Sequence, residues 1–213
     1  MGVFYSFEKK NKKINLDEFL DLYEKIYFFE NPDLDLEEKI EKILEKRKKS
    51  SKPLSREDIE TIFGWKMDTK NIVNGQIKRR QIVDVGKVKV CIDNNKSYKS
   101  KEEAIQLLNE LRTSKNNIGS VYAITVLYFL SGGEYPIYDR FVQIAVNAIC
   151  SNAKIGDEVE CKGLSDSPCG KTLLDSYEKK YHEKLRSIFK GVPLDRKTDR
   201  ALWAYGHLFK EKK

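Results

Sequence analysis

Two short stretches of this chain hold residue types at spacings that could do chemistry. Residues 116–123 read Asn-Asn-Ile-Gly-Ser-Val-Tyr-Ala, a tight turn running directly into an apolar helix that begins at Ser120. The first N–H groups of a helix have no partner within it and lie at the positive end of its dipole. Such a turn holds a phosphate without a basic side chain. Lys115 stands beside it and adds charge. The expected phosphate contacts are therefore Lys115, Asn117, Gly119 and Ser120. Twenty residues after Gly119 comes Asp139, behind Tyr135-Pro136-Ile137-Tyr138 and at the start of another helix. A carboxylate in that place has two roles open to it. It can steady the helix start, worth about 0.3–1 kcal/mol, or it can serve chemistry at a site.

The remaining reactive residues make no comparable pattern. Of the four cysteines, Cys150, Cys161 and Cys169 are separated by ten and then seven residues, and Cys91 stands apart. No pair has C-x-x-C spacing, and the only histidines are His182 and His207. That pattern fits no compact metal template, so no metal and no cofactor is expected.

The elements that must carry the two stretches are legible as helices. Leu16, Phe19, Leu20, Tyr23, Ile26 and Tyr27 recur at three- and four-residue spacing behind Asn15, until Asn31-Pro32 breaks the pattern. Leu36 to Lys48 carries its acids early and its bases late, which suits the dipole. Ser50-Ser51-Lys52-Pro53 reads as a linker, dividing a helical segment over 1–52 from a domain over 53–213, unless the two form one two-lobed unit. Ser55 with Asp58, and Ser100 with Glu103, have capping-box spacing. Val83, Val85, Val88, Val90 and Ile92 alternate around Gly86 and predict a short β-ribbon within 76–92. Ser120 to Leu130 is apolar throughout and stops at Ser131-Gly132-Gly133. Tyr135 precedes a proline and is pushed to extended backbone. Helices are also predicted from Asp139 to Ile149, Leu173 to Phe189 and Thr198 to about Lys210, with a loop over 151–171. The fold class predicted is mostly α with a small ribbon.

On these residues the chain resembles the helix-hairpin-helix DNA glycosylase superfamily. Members carry a hairpin of the form Leu-Pro-Gly-Val-Gly-x-x-x-Ala, followed about twenty residues later by an Asp behind an apolar, proline-containing loop. Ile118, Gly119 and Ala123 fall at the Val, second Gly and Ala positions, and Pro136 matches the proline before the Asp. Asp139 falls at the catalytic position. The likeness covers roughly residues 100–150, with Trp203-Ala204-Tyr205-Gly206 as a weaker match near the end. It implies a helix-hairpin-helix glycosylase-like fold acting on double-stranded DNA. There a carboxylate stabilises the positive charge that builds on deoxyribose as the N-glycosidic bond breaks. The base must leave the stack and enter a pocket. Tyr122, Tyr138 and Trp203 are the candidate lining, with Tyr135 and Tyr205 behind them. Three departures stand out. Asn117 replaces the first hairpin glycine, and Arg140-Phe141 follows the Asp where Thr-His or Val-His is common. Val121 stands where bifunctional members carry a nucleophilic Lys, so the resemblance implies a monofunctional glycosylase without lyase chemistry.

Composition is compatible with this and excludes other classes. A 213-residue chain with 40% hydrophobic and 11% aromatic residues can build a core and is not a disordered tail. The formal net charge of +7 suits a polyanionic partner. No apolar run reaches the roughly 18–20 residues of a membrane span, and the N-terminus has no secretory leader pattern. The expected partner is DNA and the expected location cytoplasmic. Two alternatives stay open: a helix-hairpin-helix module that binds nucleic acid without catalysis, and an all-α interaction protein that has lost both activities.

Overall fold

The computed structural model of the chain describes residues 2–8, 11–50, 53–67, 72–73, 76–78, 82–94, 98, 100–113 and 118–212. Within these the protein is mostly helical, as the periodicities predict, and the chain divides into two compact units. Neither unit is continuous in sequence. The first takes residues 1–32, 136–163 and 177–213, and the second takes 33–135 and 164–176. The boundary expected at residue 52 falls inside the second unit.

The first unit is organised around three helices, α1 (Leu16–Glu30), α7 (Arg140–Ser151) and α10 (Arg196–Gly206). Asn15 starts α1 with a full capping box, its side chain accepting from the Glu18 amide at 2.9 Å. The apolar stripe of α1 then buries Phe19 and Tyr23 completely. Both rings meet Tyr205 of α10 edge-on, with centroids 5.2 and 4.9 Å apart. The crossing of α10 and α7 is closer than any side chain allows. A Cβ on Gly206 would lie 1.9 Å from the Phe141 carbonyl oxygen, so glycine is required there. A hairpin of β1 (Phe4–Ser6) and β2 (Lys12–Ile14) closes one side, its turn held by Asn11 at φ 64°. The Tyr23 hydroxyl donates to the Tyr5 carbonyl at 2.7 Å. Two three-residue strands, β6 (Glu158–Glu160) and β7 (Lys210–Lys212), pair in parallel, so the loop expected over 151–171 holds a short strand.

The second unit holds α2 (Leu34–Lys49), α3 (Arg56–Lys66), α4 (Val85–Asn94), α5 (Lys101–Arg112) and α6 (Ser120–Leu130). Both predicted capping boxes form, at Ser55 with Asp58 and at Ser100 with Glu103. From Ala123 to Leu130 every residue of α6 is buried, which explains its lack of a polar face. The Arg47 Nε donates to the Leu130 carbonyl at 3.0 Å and satisfies the C-terminal end of α6. Gly132 and Gly133, at φ 67° and 93°, then turn the chain in a conformation open chiefly to glycine.

The ribbon forms over part of the predicted stretch. Strands β3 (Ile72–Val73), β4 (Gln76–Lys78) and β5 (Ile82–Asp84) make an antiparallel sheet, but residues 85–92 are the helix α4. Val85, Val88 and Ile92 are buried while Val90 is 59% exposed. Those buried positions are three and four apart, which is the spacing of a helix face. The Asp84 carboxylate accepts the Lys87 amide at 3.2 Å and starts it. Beyond Asp166, the chain is helical from Gly170 to Ile188 as α8 (Gly170–Tyr177), a π-helical turn (Glu178–His182) and α9 (Glu183–Ile188).

Candidate active site

Asp139 caps α7. Its backbone is extended, at φ −139° and ψ 150°, and its Oδ1 accepts the Phe141 amide at 2.9 Å. The side chain is half-buried. Two buried tyrosines fix the segment that delivers it. The Tyr177 hydroxyl donates to the Pro136 carbonyl and the Tyr181 hydroxyl to the Ile137 carbonyl, each at 2.6 Å. An extended segment leaves its carbonyls without ladder partners, and these two phenols supply them. The phenol of Tyr181 is held well above its ordinary pKa by burial first, then by the Asp199 carboxylate and more weakly by other neighbours that include Asp139. Asp199 itself is paired to the buried Arg196 guanidinium.

Arg140 is next in sequence. Its guanidinium is paired with Glu211 of β7. Beyond it, Phe141 lies parallel to His207, with centroids 3.5 Å apart, and Trp203 packs on the same histidine at 3.9 Å. All three rings are half-buried. The His207 Nδ1 lies 2.9 Å from the Trp203 carbonyl oxygen. An aromatic stack thus begins two residues from the carboxylate. Trp203 belonged to the expected lining, whereas Phe141 and His207 did not. The pairing of residues sixty-six apart in sequence was invisible, because it depends on the close α7–α10 crossing at Gly206.

The other expected lining residues are placed differently. Tyr138 is 2% exposed, packs edge-on against Tyr181 at 5.3 Å and donates its hydroxyl to the Gln143 Oε1. Tyr205 is fully buried between Phe19, Tyr23 and Phe209. Tyr122 belongs to the second unit, half-buried, with Phe63 at 6.1 Å.

The hairpin also belongs to the second unit. Lys115 and Asn117 lie outside the described residues. Gly119 is the N-cap residue of α6, at φ −58° and ψ 150°, and, being glycine, offers no side chain to cap that helix. Ile118 is buried, and its carbonyl accepts from Arg112 Nη1 at 2.7 Å. Arg112 Nη2 reaches the Asp166 carbonyl at 2.5 Å. Ser120 is buried and points its hydroxyl inward, donating to the Ser165 carbonyl at 2.8 Å, with the Asp166 Oδ1 at 3.3 Å. A carboxylate of the chain itself therefore lies against the positive end of α6. The basic run Lys46–Lys49 is engaged locally, with Lys46 on Asp58 and Lys48 on Glu45. Among the described residues no helix is long and apolar enough to cross a membrane.

No protein-family model, no curated protein and no solved structure matches this chain. The functional reading therefore rests on the site alone.

Proposed function

We infer that the protein binds double-stranded DNA and acts as a monofunctional base-excision glycosylase, hydrolysing the N-glycosidic bond of a damaged or mismatched base. The observation that carries this reading is Asp139. It is half-buried at the N-cap of α7, delivered by a segment that Tyr177 and Tyr181 hold by its carbonyls, and its Oδ1 accepts the amide of Phe141, whose ring stacks on His207. A fixed carboxylate beside an aromatic surface is what cleavage through a cationic sugar asks for. The charge offsets the developing positive ring, and an extruded base stacks on π-faces. Val121 offers no amine for a Schiff base, so the product is an intact abasic strand. Such an enzyme works where the DNA is: the reading goes with a cytoplasmic location, nucleoid-associated if the source is bacterial.

A second reading has its own observation. With Ser120 turned inward and Asp166 against α6, the hairpin side would bind DNA weakly, and Asp139 would serve only as a cap. One experiment separates them. Duplexes carrying alkylated, oxidised, deaminated or mismatched bases are incubated with the protein and then cleaved with alkali at abasic sites. Wild type should cleave at least one. Asp139→Asn should lose about a hundredfold or more, the usual cost of one electrostatic group. Asn is as good an N-cap as Asp, so folding should be unchanged. Cleavage of none of the panel leaves the binding-module reading, and full activity in Asp139→Asn removes the carboxylate from the chemistry.

A further inference from the structure

The α7 helix carries a polar stripe through an otherwise buried surface. Asp139, Gln143, Asn147 and Ser151 are each four apart and fall on one face. Beyond Gln143 that face opens into a cleft of about 510 Å³ lying wholly within the first unit. Its rim holds Lys162, Lys180, Lys184 and Lys212 against Glu158 and Glu160, an excess of positive charge. Glu160 is committed to Lys162, with Nζ and Oε1 3.1 Å apart. Two of the other ammonium groups rest on neutral oxygens. Lys180 Nζ donates to the Gly163 carbonyl at 3.0 Å, and Lys184 Nζ to the Asn147 Oδ1 at 2.8 Å. A lysine has three donor hydrogens, and a neutral acceptor takes up one without cancelling the charge. These cations are positioned and still electropositive.

We propose that this cleft is a binding site for the phosphate of a nucleotide, presented either free or within a nucleic-acid strand. Lysines act on phosphate as point charges, and several around one concavity are cumulative. The volume lies within the roughly 300–1,000 Å³ of clefts that take small organic ligands, and it leaves room beyond the phosphate for sugar or base. The stripe also gives a distance. From Asp139 to Asn147 is about 12 Å along the helix at 1.5 Å per residue. At about 3.4 Å per nucleotide of duplex strand, that separates the two places by three or four nucleotides. A strand with one unit at Asp139 would lay a nearby phosphate on Lys180 and Lys184. The site does not depend on catalysis at Asp139, and Asp139→Asn should leave it intact.

Cys150 provides the readout. It lines the cleft and is exposed, while Cys169, also exposed, lies in the other unit and serves as the internal control. Alkylation of each thiol in the full chain is followed by peptide mapping, with adenosine monophosphate in one arm and a DNA duplex of about ten base pairs, long enough to reach both places, in another. At a ligand concentration twice its Kd, alkylation of Cys150 should slow about threefold, because only the empty fraction reacts, and Cys169 should be unaffected. Protection by the nucleotide identifies a free ligand; protection by the duplex alone identifies a strand. Lys180→Glu with Lys184→Glu should abolish protection, and the exposed Lys212→Glu, which risks the fold least, should weaken it. An unchanged Cys150 rate in both arms overturns the proposal, as does undiminished protection in the charge-reversed variants that remain folded.

Discussion

His182 is the buried residue whose charge state most directly tests how the first unit is held. It is 6% exposed in the π-helical turn, and its ring lies 5.6 Å from that of Tyr177, the residue that holds Pro136. Burial, and secondarily the Arg186 guanidinium, push its pKa down from 6.5 to about 4, with Glu178 opposing. The sign follows from proton counting. Between pH 6.5 and about 4 the unfolded chain binds a proton that the folded chain refuses, so stability falls as the pH is lowered through that window. One proton contributes a slope of up to about 1.4 kcal/mol per pH unit. Chemical denaturation at pH 7, 6, 5 and 4 should show that slope, and His182→Phe should flatten it. An equal slope in both proteins would place the acid sensitivity elsewhere. Asp139 shows the opposite lesson at this scale. One carboxylate serves the helix start and, on the proposed reading, the chemistry, so only a substitution that keeps the cap can separate the two.

At the scale of elements, one contact in each unit can be tested by itself. The α7–α10 crossing brings Gly206 against the Phe141 backbone, whose amide is bonded to Asp139. Gly206→Ala would drive a methyl into a carbonyl that cannot rotate away. We expect a loss of about 1–3 kcal/mol, as for an overpacked core, visible as a lower thermal midpoint. Base release should fall further than the unfolded fraction explains, because Asp139 moves with Phe141. The second contact is that of Asp166 with Ser120 at the start of α6. If a phosphate belongs at that helix end, the carboxylate competes with it. Asp166→Asn should then raise duplex affinity at low salt, by the roughly 0.3–1 kcal/mol a charge commands at a helix terminus. Filter binding or anisotropy would show it, and weaker binding by Asp166→Asn would mean that the hairpin does not face the DNA.

At the scale of the whole molecule, the first unit is built from three separated stretches of chain. Residues 1–32 supply Phe19 and Tyr23, both fully buried and both in ring contact with Tyr205. They are part of the core that positions α10, and α10 positions α7. A chain truncated to residues 53–213 should therefore lose the cooperative folding of this unit and the near-ultraviolet dichroism of its aromatic cluster. A truncated protein with wild-type spectra and melting would support the division expected at residue 52.

The sequence by itself determined most of the helices, α4 excepted, because caps and three-to-four spacing act over one or two turns. Asn15, Ser55, Ser100 and Asp139 each start the helix they were expected to start. It also placed Asp139 behind an extended, proline-containing segment, since Pro136 constrains its own neighbour. Residues 85–92 were misread because alternation and helical spacing coincide in so short a valine-rich run. Only burial, with Val90 outside and Val85, Val88 and Ile92 inside, separates them. The rest was decided by tertiary structure. The phenols of Tyr177 and Tyr181 on Pro136 and Ile137, the stack of His207 on Phe141, the inward turn of Ser120 and the lysine cleft each join residues from distant stretches. Such pairings carry no local pattern. The stack exists because Gly206 lets α7 and α10 touch backbone to backbone, and the bonds of Tyr177, Tyr181 and Ser120 because buried hydroxyls and carbonyls must find partners wherever the chain brings them.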